Sequence, residues 1–105
     1  GKEMFVDYEE GLSWARIHHL FGYDFYVYQY ATGFAASQAI SQIIKREGKP
    51  AIQKYIKEFL NAGSSDYPIE ILKNAGVDMS SPMPIKMTID KFNAYLDEIE
   101  ELIKK

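Results

Sequence analysis

Lys49-Pro50-Ala51-Ile52-Gln53-Lys54-Tyr55-Ile56-Lys57-Glu58-Phe59-Leu60 is the stretch that decides the fold class. Pro50 suits the first turn of a helix, where no backbone donor is needed and φ is already set. Ile52, Tyr55, Ile56, Phe59 and Leu60 follow at i, i+3, i+4, i+7 and i+8, one apolar side of an amphipathic helix. Asn61-Ala62-Gly63 ends it.

Working outward, Gly48 reads as the αL terminator of a preceding helix that runs from an Asp24 N-cap to Glu47. Tyr26, Tyr30, Gly33, Phe34, Ala36, Ile40, Ile43 and Ile44 form its apolar face. Its middle, Ala31-Thr32-Gly33-Phe34-Ala35-Ala36-Ser37, is rich in small residues and lets another helix approach closely. Phe25-Tyr26-Val27-Tyr28 has high β propensity and is where a strand competes. Further upstream, Leu12, Ile17 and Leu20 recur at near-helical spacing, predicting a helix from Glu9 or Gly11 to Leu20 that stops near Gly22.

Downstream, Ser65 or Asp66 caps a short helix with Pro68 in its first turn, Ile69, Leu72 and, as a further candidate, Ile71 facing inward, and Gly76 closing it. Val77-Asp78-Met79-Ser80-Ser81-Pro82-Met83-Pro84 reads as an extended linker, with Met79 and Met83 filling gaps. A fifth helix begins at Pro84 or Thr88 and carries Phe92, Tyr95, Leu96, Ile99 and Leu102 on one face. The expected fold is all-α, a small bundle of about five helices with no convincing strand, and residues 1–105 read as one helical domain or a piece of one.

Composition narrows the function classes. With 47% hydrophobic residues the chain is no disordered segment. A net charge of −3 gives no nucleic-acid footprint. The absence of cysteine excludes disulfides and thiolate metal sites and fits a reducing, cytoplasmic setting. No apolar run reaches the roughly 18 residues of a membrane span. The polar start Gly1-Lys2-Glu3 is unlike a signal peptide, and Gly1 in place of Met suggests a tag scar or a cut from a longer chain.

Four of the eight tyrosines fall between Tyr23 and Tyr30. Tyrosine hydroxyls donate hydrogen bonds at neutral pH, and donors aimed at a developing oxyanion contribute roughly 3–4 kcal/mol each when water is excluded. On one helix Tyr23, Tyr26 and Tyr30 would share a face, and Gly22 would let the chain bend near a cleft floor. The two histidines, His18 and His19, are neighbours about 100° apart on a helix, so they do not readily bind one ion. His-Glu-x-x-His, the helical zinc motif, is absent. Core packing is the competing explanation of the aromatic stripe.

Trp14-Ala15-Arg16-Ile17-His18-His19-Leu20-Phe21 and Phe25-Tyr26-Val27-Tyr28-Gln29-Tyr30-Ala31-Thr32-Gly33-Phe34 resemble the late signature of the oligoendopeptidase F family. Gly63-Ser64-Ser65-Asp66-Tyr67-Pro68 and Ala75-Gly76-Val77-Asp78-Met79 are similar to its Gly-Ser-x-Tyr-Pro and Ala-Gly-Val-Asp-Met elements, in the same order. His18, Tyr23, Asp24 and Tyr30 match the His-x4-Tyr-Asp-x5-Tyr spacing of the related thimet-type oligopeptidases. His19 instead fits the oligoendopeptidase F pattern with one residue inserted, so the register is open between the two.

The resemblance implies the C-terminal part of a zinc endopeptidase that hydrolyses short peptides. In that reading His18 or His19, Tyr23 and Tyr30 stabilise the oxyanion, and Tyr26 and Tyr28 contact the substrate backbone. Zinc would belong to the full-length enzyme. The chain by itself would hold no cofactor, would be inactive without the missing N-terminal zinc-binding part, and would self-associate through the Tyr23–Phe34 surface. An independent helical module that binds peptides or proteins without cleaving them is the alternative.

Overall fold

A computed structural model of the chain describes residues 3–23 and 26–104. The expected N-cap at Asp24, with Phe25 beside it, lies outside the described residues. Those described form four α-helices, two 3-10 segments and one π-helical turn, with no strand, the all-α fold that the periodicity predicts. By its internal contacts the chain divides into two units, Gly1–Ala31 and Thr32–Lys105.

In the first unit the expected α-helix is instead two short 3-10 segments, Tyr8–Arg16 and His18–Leu20, separated by an extended Ile17. Neither segment buries a residue, so no packed face stabilises a longer α-helix, and Gly11 weakens one further. The tighter helix eclipses side chains three apart. Arg16 accordingly donates to Ser13 Oγ, and Ser13 Oγ donates to Glu10, each at 2.9 Å. Trp14 and Phe21 pack with ring centroids 5.7 Å apart.

Helix α1, Tyr28–Glu47, has its first residues in the first unit and the rest in the second. Tyr26 and Val27 form a turn before it, neither helix nor strand. Its buried side is Ala35, Ala36 and Ala39, while Phe34, expected inside, is exposed. With Ala36 and Ala39 pack Val77, Leu72, Met79 and Met87, together with Ile40 and Ile43. The small-residue run thus allows the close approach it suggests, with the Val77 and Met79 loop as well as with the helix that carries Met87.

Gly48 has φ 68° and ψ −137°, a conformation open to glycine on the left-handed side but outside αL proper. Helix α2, Lys49–Tyr55, continues into a π-helical turn over Ile56–Leu60, where Asn61 N–H reaches back to the Ile56 carbonyl at 3.0 Å. Helix α3, Pro68–Asn74, has Tyr67 at its N-cap position. Neither Ser65 nor Asp66 caps it. The Asp66 carboxylate accepts instead from Tyr67 N–H at 2.7 Å. Ile71 is buried and Leu72 half-buried, as expected, while Ile69, expected inside, is exposed, because a seven-residue helix has too few turns to fix its inner face from sequence.

A Schellman motif ends α3. Val77 N–H donates to the Leu72 carbonyl and Gly76 N–H to that of Lys73, with Gly76 at φ 107°. The next segment turns where an extended linker was expected. Both the amide and the hydroxyl of Ser80 donate to Asp78 Oδ1, an Asx-type turn that folds the chain back. Met79 is half-buried as expected, and Met83 is exposed.

Helix α4, Met83–Ile103, buries Pro84 and rests Met87 on the core. Gln42 Nε2 donates to the Met87 carbonyl at 3.1 Å and fastens it to α1. The apolar side of α4 expected to pack, Phe92, Tyr95, Leu96, Ile99 and Leu102, is exposed along its length.

Candidate active site

The first unit gathers four of the six expected site residues. The His18–Leu20 turn is held by Leu20 N–H on the Ile17 carbonyl, and both Phe21 and Gly22 N–H donate to the His18 carbonyl. Past it, Tyr26 N–H donates to the Tyr23 carbonyl at 2.8 Å and Tyr30 N–H to that of Val27 at 3.2 Å. Tyr23 therefore precedes α1 and does not lie on the one continuous helix face that was expected.

These turns place the His19 ring among three phenol rings. Its centroid lies 5.5 Å from that of Tyr23, 5.9 Å from Tyr26 and 5.4 Å from Tyr30, the last edge-on. Tyr26 and Tyr30 meet edge to face at 6.2 Å, the geometry that aromatic quadrupoles favour. Tyr30 Oη stands 3.4 Å from His19 Nε2, a long contact that leaves the hydroxyl able to turn to another acceptor. His19 is half-buried, while Tyr23 and Tyr30 are about 60% exposed, so both phenols reach solvent.

His18 is exposed, and its ring contact is with His19 at 5.7 Å. Tyr28 is exposed and turned aside, its hydroxyl accepting from Gln29 Nε2 at 3.4 Å. The structure thus brings together His19, Tyr23, Tyr26 and Tyr30 and leaves His18 and Tyr28 outside the ring group.

A feature the sequence reading missed lies in the second unit. Helices α1, α2 with its π turn, and α3 enclose an apolar cleft of about 1060 Å³, lined among others by Ala36, Ile40, Ile44, Phe59 and Leu72. Tyr55 and Phe59 stack along it with centroids 5.4 Å apart. The signal was the pairing of a small-residue stripe on one helix with an aromatic pair on the next. In the sequence they stand apart, one as a run that admits a close helix and the other on the apolar side of an amphipathic helix.

Every regular element of the described residues is helical, and a histidine is displayed among exposed tyrosine hydroxyls. Residues 3–91 match the family model described as Peptidase family M3, and the chain belongs to that family. It is 56% identical over its whole length to Oligopeptidase PepF of Bacillus subtilis, covering 15% of that protein. It is 45% identical over 88% of its length to the plasmid oligoendopeptidase F of Lactococcus lactis subsp. cremoris, again 15% of the relative. To Group B oligopeptidase PepB of Streptococcus agalactiae it is 41% identical over 96% of its length, 16% of that protein. The chain therefore spans about a sixth of these relatives. No solved structure matches it.

The family implies zinc in the complete enzyme. Among the described residues no three His, Asp or Glu side chains converge as a metal site, so these residues do not fit a zinc centre.

Proposed function

We propose that this chain is the C-terminal portion of a zinc-dependent oligoendopeptidase and forms a wall of its substrate cleft. The observation that carries the reading is the placement of Tyr30 Oη 3.4 Å from His19 Nε2 inside a group of exposed phenols. Tyr30 and Tyr23 donate hydrogen bonds to the oxygen of the scissile carbonyl as negative charge builds on it. His19 orients the Tyr30 hydroxyl and serves as a further donor. Tyr26 walls the group, and Tyr28 contacts the peptide backbone beside it. Donors fixed before the reaction stabilise the transition state more than the ground state, which is what raises turnover. Short peptides are the substrates, the setting is cytoplasmic, and the chain by itself hydrolyses nothing.

The test is Tyr30→Phe in the longer peptidase that carries this segment. Loss of one oxyanion donor lowers kcat roughly 100-fold on a quenched fluorescent peptide, with zinc content and melting temperature unchanged. Turnover within about twofold of the parent rejects the assignment.

A second reading, a non-catalytic module that binds peptides or proteins, draws on the apolar cleft between α1, α2 and α3. It predicts that Phe59→Ser abolishes binding of apolar peptides to the isolated chain. On the peptidase reading such binding is absent from the start.

A further inference from the structure

We propose that Trp14 and Phe21 are positioning residues, a ring pair that holds the His18–Leu20 turn so that His19 stays on Tyr30. The inference deepens the peptidase reading, and its catalytic consequence rests on that reading. The ring pair itself lies wholly within the first unit.

The backbone around the turn leaves one joint unfixed. A 3-10 turn makes poorer hydrogen bonds than an α-helix, and neither 3-10 segment buries a residue. Between the two stands Ile17, extended at φ −88° and ψ 92°. Its N–H donates to the Trp14 carbonyl at 3.0 Å, and its carbonyl accepts from Leu20 N–H at 3.0 Å. The first bond uses the peptide before the joint and the second the peptide after it, so neither spans the Ile17 torsions.

Trp14 and Phe21 do span them. Their ring centroids lie 5.7 Å apart with the planes tilted by 37°, inside the range of roughly 4.5–7 Å in which aromatic pairs attract. On a continuous α-helix, residues seven apart are separated by about 10 Å along the axis. The rings meet because the chain bends at Ile17, and their contact favours that bend over others.

His19 is carried just beyond the joint. Phe21 is tied twice, by its ring on Trp14 and by its N–H on the His18 carbonyl at 3.0 Å. With Ile17 at one end and Phe21 at the other, the path of His18–Leu20 is set. That path puts the half-buried His19 ring among Tyr23, Tyr26 and Tyr30 and leaves His18 exposed. Tyr30 Oη already stands 3.4 Å from His19 Nε2, so a swing of about 1 Å in the turn breaks the contact. A displacement of that size costs up to about 100-fold in turnover. Both rings of the pair are more than half exposed, so a substitution there moves the turn without unfolding the chain.

Two measurements test the proposal, one on this chain and one on the longer peptidase. In NMR spectra of the chain, the imidazole protons of His19 should be shifted by the three phenol rings and show cross-peaks to Tyr30. Phe21→Ala should return them to the position of an exposed histidine and abolish the cross-peaks, while Phe21→Tyr, which keeps a ring, should preserve both. Phe5→Ala, at an aromatic side chain of the same unit that is 88% exposed, should leave them unmoved. In the peptidase, Phe21→Ala should lower kcat about tenfold with KM, zinc content and melting temperature unchanged, and Phe21→Tyr should restore it. His19 signals that stay in place in Phe21→Ala, or that Phe5→Ala moves as far, overturn the proposal. So does an unchanged kcat in Phe21→Ala where Tyr30→Phe lowers it. If Tyr30→Phe also leaves turnover intact, the oxyanion reading has failed, and the NMR comparison decides by itself whether the ring pair holds the turn.

Discussion

His19 Nε2 and Tyr30 Oη meet at 3.4 Å although eleven positions separate them in the chain, while the adjacent His18 is turned to solvent. Two neighbouring histidines with identical chemistry are thereby given different surroundings. The difference comes from the 3-10 turn at His18–Leu20 and the backbone turn from Tyr23 to Tyr26. A spacing rule alone favours neither.

The first prediction uses that asymmetry. In the peptidase that carries this segment, His19→Ala lowers kcat by about 100-fold, as expected when a donor and its positioning partner are lost together. His18→Ala leaves kcat within about twofold. Steady-state kinetics on one fluorogenic peptide, with zinc content measured alongside, checks both, and equal losses would show that the two histidines share the role.

Two glycines should respond in opposite directions. Gly33 lies within helix α1, and a Cβ there would meet nothing within 4 Å. Gly33→Ala therefore raises the stability of the chain by about 0.5–1 kcal/mol, the helix-propensity difference. Gly76 sits at φ 107° in the Schellman motif, where an L side chain is strained, and Gly76→Ala lowers stability by about 1–3 kcal/mol. Urea titrations of the two variants read the sign directly.

The bundle was legible where local chemistry settles the matter by itself. Pro50 and the apolar positions from Ile52 to Leu60 define a helix, and Gly48, Gly63 and Gly76 all take positive φ where helices end. Periodicity was silent on what covers an apolar face. It marked Phe92, Leu96 and Ile99 on α4 and Phe34 on α1 as one-sided, and all four are exposed. The site was legible as a set of residue types. Its geometry was not, because Tyr23 reaches His19 through non-helical turns whose course depends on hydrogen bonds to the His18 and Tyr23 carbonyls. The cleft along Tyr55 and Phe59 escaped notice because a lining side chain and a core side chain follow the same pattern.

A contrast between Ala39 and Phe34 tests where the core lies. Ala39 is 1% exposed against Val77 and Met87, and Phe34, five residues earlier on the same helix, is open to solvent. Ala39→Leu forces extra methyl groups into a filled space and costs about 1–3 kcal/mol. Phe34→Ser changes the stability of the isolated chain by no more than about 0.5 kcal/mol. Thermal unfolding separates the two, and the reverse order would mean that α1 is turned the other way.

The turn after α3 carries a pH dependence with a definite sign. The hydroxyl and then the amide of Ser80 donate to Asp78 Oδ1, Lys73 Nζ lies 4.0 Å from Oδ2, and together they hold this carboxyl below its ordinary 3.8. The folded chain therefore binds a proton here less readily than the unfolded chain. Stabilisation from this group is complete above the ordinary carboxylate range and disappears as the pH falls through the lower, folded value. Asp78→Asn keeps an acceptor for Ser80 but removes the charge and its titration. Between about pH 5 and pH 2 the urea midpoint should accordingly fall more for the parent chain than for Asp78→Asn. The two should differ most above that window, where the parent carboxylate is charged, and converge at its acid end. Parallel curves across the window would mean that Asp78 titrates alike in the folded and unfolded chain, and that the Ser80 hydrogen bonds do not persist in solution.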